Sequence, residues 1–66
     1  MQISVNGGEL EIAPHFSVDQ LLGFLELKGK RIAVELNQDI VPRSQYAEVM
    51  LQANDRVEIV HAIGGG

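Results

Sequence analysis

Residues 57–66 of the sequence read VEIVHAIGGG, a strand-like run followed by glycines. We interpret the preceding residues as a folded body that carries this segment. Val57 and Ile59 lie two residues apart, the spacing that places both side chains on one face of a β-strand. The strand-like pattern then stops in three glycines. We therefore interpret residues 1–63 as one folded domain and residues 64–66 as a flexible C-terminal tail that the domain presents.

Composition limits the classes of protein to which the chain can belong. Its 66 residues suffice for one small domain, and the absence of cysteine excludes a disulfide, a thiolate metal site and a cysteine nucleophile. A net charge of −4 with 45% hydrophobic residues is too apolar for a disordered acidic chain and too acidic for binding nucleic-acid backbones. No secretion signal is recognisable, and no apolar run approaches the roughly 20 residues that cross a bilayer. We expect a cytoplasmic protein, monomeric when free, that binds neither nucleic acid nor membrane.

The first half of the sequence predicts a hairpin followed by a helix. Residues 1–5 and 9–13 alternate like strands on either side of Asn6-Gly7-Gly8, and Asn-Gly is a strong hairpin signal. Ser17 is the predicted N-cap of a helix over residues 18–28, with Gln20 as its capping-box partner. The apolar stripe of this helix contains Val18, Leu21, Leu22 and Leu25.

The predicted end of the helix combines a glycine with a cluster of cations. Gly29 is the expected C′ residue, and Gly23 is expected on the outer face. Because cations suit the helix C-terminus, we interpret the basic cluster as a cap and an aid to solubility rather than as a docking patch. The cluster consists of Lys28, Lys30 and Arg31.

The second half predicts three more short strands. Residues 31–36 alternate, residues 37–39 form a turn, and Ile40-Val41 can pair back before Pro42. A 3₁₀ turn at residues 43–46, a short strand at Val49–Leu51 and a turn at residues 52–55 lead to the last strand. We expect an α+β fold in which one helix packs on one face of a mixed sheet of four to five strands. The first and last strands should lie side by side and parallel in its centre.

This order of elements, ending in Gly-Gly, resembles the ubiquitin-like β-grasp fold, and two motifs narrow the resemblance. Residues 37–43, NQDIVPR, look like the "N-x-x-I-V-P-R" segment of the ThiS family. Residues 51–60, LQANDRVEIV, resemble that family's "L-x-x-x-D-x-[VI]-x-[IV]-[VI]" ending before the diglycine. Asn54 departs from the pattern, where the turn is often glycine, but asparagine also tolerates the left-handed region.

The resemblance implies a sulfur carrier of thiamin biosynthesis rather than an enzyme. Its reactive group would be the Gly66 carboxylate, with Gly64 and Gly65 threading into a partner. A ThiF-like adenylating enzyme would activate the carboxylate with ATP and magnesium. A sulfur donor protein would then convert it to a thiocarboxylate, and a ThiG-like thiazole synthase would take the sulfur. The sequence itself has no phosphate-binding glycine motif, so we expect this chain to bind no cofactor.

The tail needs a docking surface beside it. Three extended residues reach at most about 10–11 Å, and ordering them costs about 3–6 kcal/mol. Contacts made by the folded body must offset that cost. Val60, Ala62 and Ile63 are expected to form an exposed apolar patch next to the tail, with His61 close to it.

Several alternatives remain open at this point. A MoaD-like small subunit of molybdopterin synthase would use the same tail chemistry with another acceptor. A ubiquitin-like modifier would end in an isopeptide bond to lysine, and an adaptor would carry an inert tail. His15 and His61 lack ligand partners at metal-binding spacing, so no metal site is expected. Tyr46 is expected to be a half-buried packing residue.

Overall fold

The structure is a computed structural model and describes residues 1–61. The elements in chain order are β1 (Gln2–Val5), β2 (Gly8–Glu11), α1 (Val18–Phe24), β3 (Ile32–Leu36), β4 (Asp39–Val41), a 3₁₀ helix (Arg43–Gln45) and β5 (Arg56–His61). The expected boundary between the domain and its tail, after residue 63, lies outside the described residues.

One five-stranded sheet runs in the order β2-β1-β5-β3-β4. β1 and β5 are parallel, with Val5 opposite Val57, and the other neighbouring strands are antiparallel. The sheet is therefore mixed, and the first and last strands lie together at its centre. The predicted α+β arrangement is confirmed.

The core lies between α1 and one face of the sheet. Val18 and Leu21 of the helix have no exposed surface, and neither do Val34 and Val57 of the sheet. Burying a side chain of this kind stabilises the fold by about 1.5–3 kcal/mol. The alternating patterns in the sequence predicted this face correctly. The opposite face of the sheet has no helix against it in the described chain and is called the open face below.

Helix α1 is shorter than predicted, because it ends at Phe24 rather than at Lys28. Glu26 adopts a left-handed conformation with φ of 61°. The amide of Leu27 donates to the carbonyl of Leu22 at 2.8 Å, and that of Glu26 donates to Gly23 at 3.1 Å, which is a Schellman ending. A longer helix would turn Leu25 and Leu27 to opposite sides, whereas ending it early lets both pack against the core.

Two predictions about the helix C-terminus are also wrong: Gly29 is not the C′ residue, and the cation cluster does not cap the helix. Gly29 has a φ of 80° but lies in the turn after the cap, and no basic residue occupies the last helical turn. Lys28 instead reaches back to the first turn, where its Nζ lies 3.0 Å from Asp19 Oδ2. Its side chain covers Gly23, whose missing Cβ would stand 3.4 Å from Lys28 Cε.

The stretch Val49–Leu51, predicted as a strand, does not join the sheet and instead forms hydrogen bonds with residues at the start of α1. Met50 forms an isolated antiparallel bridge with Ser17. The amide of Leu51 donates to the carbonyl of Phe16 at 2.8 Å, and Leu51 is buried. Because α1 starts here, the extended backbone serves the helix N-terminus and not the sheet.

The predicted capping box at Ser17 is confirmed. Ser17 Oγ accepts from the amide of Gln20 at 3.0 Å, and Gln20 Oε1 accepts from the amide of Ser17 at 2.8 Å. Two amides that the helix itself leaves unpaired are thereby satisfied.

Candidate functional site

The described part of the candidate site is the end of β5, the strand that leads towards residues 62–66. Val57 and Ile59 of this strand face the core, with 0% and 6% of their surface exposed. Val60 faces the other way and is 60% exposed. The strand therefore places an apolar side chain in solvent immediately before the last described residue.

His61 is exposed, but it does not lie on the same face as Val60. In the pairing of β3 with β5, His61 stands opposite the buried Ile32, whereas Val60 stands opposite Ala33. Because neighbouring strand residues point to opposite faces, the structure separates these two members of the predicted docking patch. The remaining site predictions, Ala62, Ile63, Gly64, Gly65 and Gly66, fall outside the described residues.

Ile40 was missed as a surface residue by reasoning from the sequence. It is 72% exposed and stands opposite Glu35, two positions along β3 from Ala33. Since paired residues share a face, Ile40 and Val60 flank β3 on the open face. The adjacent pair Ile40-Val41 contained the signal, because two successive residues of a strand cannot both point into the core.

The open face is also acidic. Glu35 and Glu58 are direct cross-strand partners, and Glu35 is the partner of Ile40 on its other side. Two like charges placed opposite each other raise the local negative potential and repel each other. A complementary partner would carry basic side chains around an apolar contact with Val60 and Ile40.

Asn6 holds β5 close to its end. Its Oδ1 accepts from the amide of Ile59 at 2.7 Å, and its Nδ2 donates to the carbonyl of the same residue at 3.1 Å. The side chain thus continues the β1–β5 pairing after β1 has turned away. The sequence predicted Asn6 only as a turn residue, because nothing in its local pattern refers to a partner 53 positions away.

The start of β5 is held by residues of the two family-like motifs. Asn37 Nδ2 donates to Asp55 Oδ1 at 3.0 Å, and Asn37 Oδ1 accepts from the amide of Arg56 at 2.9 Å. Asp55 Oδ2 also accepts from the amide of Gln52 at 2.7 Å. The motif asparagine and aspartate are thus structural, joining the β3–β4 turn to the turn before β5. Asn54 has a φ of 71°, the left-handed conformation expected for it.

Across residues 1–61, no three His, Cys, Asp or Glu side chains gather in a way that could hold a metal ion. Tyr46 is half-buried and packs against the core, and His15 is exposed with a φ of 62°. No helix in this part of the chain has the length and apolar character needed to cross a bilayer.

Comparison with known proteins decides the family. A model of the ThiS family matches residues 3–66. The chain belongs to the ThiS family. It is 35% identical over 66 residues to the sulfur carrier protein ThiS of Escherichia coli, covering 100% of both proteins. The crystal structure of a thiamine biosynthesis protein, ThiS, from Geobacter metallireducens matches with a TM-score of 0.88 and 29% identity, covering 100% of both chains. The predicted family and its β-grasp fold are confirmed.

Longer proteins contain a similar segment. The chain is 42% identical over 66 residues to a thiazole synthase of Paramagnetospirillum magneticum, covering 100% of this chain and 20% of that protein. The chain therefore spans about a fifth of the length of the thiazole synthases it matches.

Proposed function

We propose that this chain is a sulfur carrier protein in thiamin biosynthesis, acting in the cytoplasm as a co-substrate of other enzymes. The observation that carries the proposal is the ThiS family match, which extends over residues 3–66 and so includes the glycines. The fold supports the proposal, because β5, the strand before those glycines, is central in the sheet. Side-chain hydrogen bonds fix it near both ends, from the Arg56 amide to Asn37 and from the Ile59 amide to Asn6.

The reactive group in this proposal is the carboxylate of Gly66. It attacks the α-phosphorus of ATP, which expels pyrophosphate and gives an acyl-adenylate. Sulfide supplied by a donor protein then attacks the terminal carbonyl. A C–S bond forms, the C–O bond to phosphate breaks, and the products are a thiocarboxylate and AMP without net oxidation or reduction. Glycine suits this chemistry because the lack of a Cβ leaves the carbonyl open to attack.

The catalytic groups belong to the partners. ATP and magnesium would be bound by a ThiF-like adenylating enzyme, and a ThiG-like thiazole synthase would receive the sulfur. The matches to thiazole synthases support the ThiG-like partner. In those proteins, a segment similar to this chain makes up about a fifth of the length and belongs to the same polypeptide as the synthase.

The open face beside Val60 is the surface on which these partners would dock. Val60 and Ile40 supply exposed apolar area, and Glu35 and Glu58 supply charge for a basic rim. Burying the exposed part of Val60 would contribute about 1 kcal/mol, and aspartate there would place a further carboxylate beside Glu58. Val60→Asp should therefore slow thiocarboxylate formation by about tenfold or more. Met50→Asp is the matched control, because Met50 is 45% exposed and lies outside the sheet.

Intact-mass spectrometry of the protein isolated from cells tests the chemistry. We expect a population in which one oxygen of the C-terminal carboxylate is replaced by sulfur. Deleting Gly66 should abolish that population and leave the thermal unfolding transition unchanged. Lysine-linked conjugates instead of the thiocarboxylate would support a protein modifier, and function that survives the deletion would support an inert tail.

The acceptor is tested by growth. A strain that lacks its own sulfur carrier for thiamin should grow without thiamin when it expresses this chain, but not when it expresses the Gly66 deletion. Rescue of molybdopterin synthesis alone would contradict the assignment to thiamin and favour a MoaD-like subunit.

A further inference from the structure

A groove of about 390 Å³ opens between the end of α1, the start of β3 and the 3₁₀ helix. Its apolar floor contains Leu22, Leu27 and Ile32. It lies beside the early end of α1, where the backbone turns at Glu26 instead of continuing as a helix to Lys28. The groove is large enough for an apolar side chain with its neighbours, at the lower end of the volumes of ordinary ligand sites.

The rim of this groove is basic, in contrast to the chain as a whole. Lys28, Lys30 and Arg43 line it, three of the five basic residues in a protein of net charge −4. Asp19 also lines the groove, and its Oδ2 lies 3.0 Å from Lys28 Nζ, so the charge of Lys28 is already compensated in part. Lys30 and Arg43 are exposed and form no ion pair with another of the described side chains. The hydroxyl groups of Ser44 and Tyr46 add two hydrogen-bond donors.

The groove and the open face lie on opposite faces of the sheet, at the C-terminal end of β5. Ile32 lines the groove and is the cross-strand partner of His61, whereas Val60 points to the open face. The two surfaces also have opposite charge, acidic around Glu35 and Glu58 and basic around Lys30 and Arg43. A partner that surrounds the end of β5 would meet both of them.

We propose that this groove binds an acidic segment of a partner protein. An apolar side chain of that segment packs on Leu22, Leu27 and Ile32 while flanking carboxylates pair with Lys30 and Arg43. An inorganic anion would leave the apolar floor uncovered. The acidic character of the whole chain opposes a nucleic acid. The proposal concerns this groove alone and holds whether or not Gly66 carries sulfur.

The probe is a synthetic peptide, acetyl-Glu-Glu-Leu-Glu-Glu-amide, titrated into the ¹⁵N-labelled full chain at low ionic strength. We expect amide shifts concentrated in residues 27–32 and 43–47. Replacing the central leucine of the peptide with serine should weaken binding, because the floor then loses its apolar partner. Raising the salt concentration should weaken it as well, since the pairs on the rim are exposed.

Variants of the chain test the contribution of the rim. The double variant Lys30→Glu/Arg43→Glu should lower the affinity by about tenfold or more. Arg56→Glu reverses a single charge at the other end of β5, outside the groove, a change of −2 in net charge against −4 for the double variant, and should alter the affinity by less than about twofold. All three positions are exposed, and the spectrum of each variant reports directly whether it is folded.

Three results would overturn the proposal. The first is the absence of shifts at these residues, and the second is shifts centred on Val60 and Ile40. The third is an equal response to inorganic phosphate and to the peptide, which would identify a small-anion site. Because no step involves Gly66, these results are independent of the mass-spectrometric test of sulfur transfer.

Discussion

Replacing Asn6 with glycine should lower the free energy of unfolding by about 1–3 kcal/mol. The substitution removes both side-chain hydrogen bonds to Ile59, of 2.7 and 3.1 Å, each with a net worth of about 0.5–1.5 kcal/mol. Glycine adopts the φ of 50° at this position without strain, which stabilises the folded state. Its greater conformational freedom stabilises the unfolded state by a similar amount, so the two effects roughly cancel. Asn6→Ala should cost about 1 kcal/mol more, because alanine must also adopt the left-handed conformation.

The loss is large for a domain of this size, whose total stability is expected to be about 3–10 kcal/mol. Chemical denaturation measures this loss of free energy directly. In a thermal unfolding experiment, the midpoint temperature should fall by about 4–8 °C for each kcal/mol lost. Hydrogen exchange should locate the effect, with the Ile59 amide losing more protection than amides elsewhere in the sheet.

Asn54→Gly is the matched control for this experiment. Asn54 also has a positive φ, 71°, but its side chain makes no hydrogen bond within residues 1–61. The same substitution there should change stability by less than about 0.5 kcal/mol. If Asn6→Gly proved as stable as the parent and the Ile59 amide kept its protection, the Asn6 side chain would not be what holds the end of β5.

Two further predictions concern the ends of α1. Glu26→Gly should stabilise the protein by about 1 kcal/mol in chemical denaturation, since the left-handed conformation costs about 1–2 kcal/mol for a residue such as glutamate, which lacks the tolerance of glycine and asparagine. A helix that continued past Phe24 would give the opposite sign, because glycine inside a helix is destabilising. Ser17→Ala should cost about 0.5–2 kcal/mol by removing the N-cap acceptor, measured in the same assay. An unchanged midpoint for that variant would show that the capping box contributes nothing.

Local patterns in the sequence were sufficient for the buried face of the sheet and for the first hairpin. Alternation predicted which residues of β1, β3 and β5 face α1, and the Asn-Gly turn predicted the hairpin. These predictions succeeded because the side chains of a strand alternate between its two faces. That alternation is visible in a few neighbouring residues of the sequence. The same alternation indicated that Val60 points away from the core, where the structure leaves it 60% exposed.

The errors arose where a distant contact outweighed a local preference. Helical periodicity extended α1 to Lys28, but packing both Leu25 and Leu27 on the core ends it earlier. The extended stretch at Val49–Leu51 pairs with Ser17 rather than with the sheet. Asn6 illustrates the same limit, since its bonds to Ile59 join residues that no short window contains together. The docking role of Val60 is a prediction that only a partner can test.

The facing carboxylates of Glu35 and Glu58 have a consequence for the working cycle of a carrier. Their mutual repulsion weakens the isolated protein slightly, and a lysine or arginine arriving between them relieves it. Part of the binding energy would then come from relief of the repulsion between Glu35 and Glu58 in the free protein, without any additional contact area. An attraction of this kind is sensitive to ionic strength and acts before contact, so it speeds encounter more than it slows departure. In the function proposed above, the carrier would visit several enzymes in succession, and this balance would let it find each one quickly and still leave.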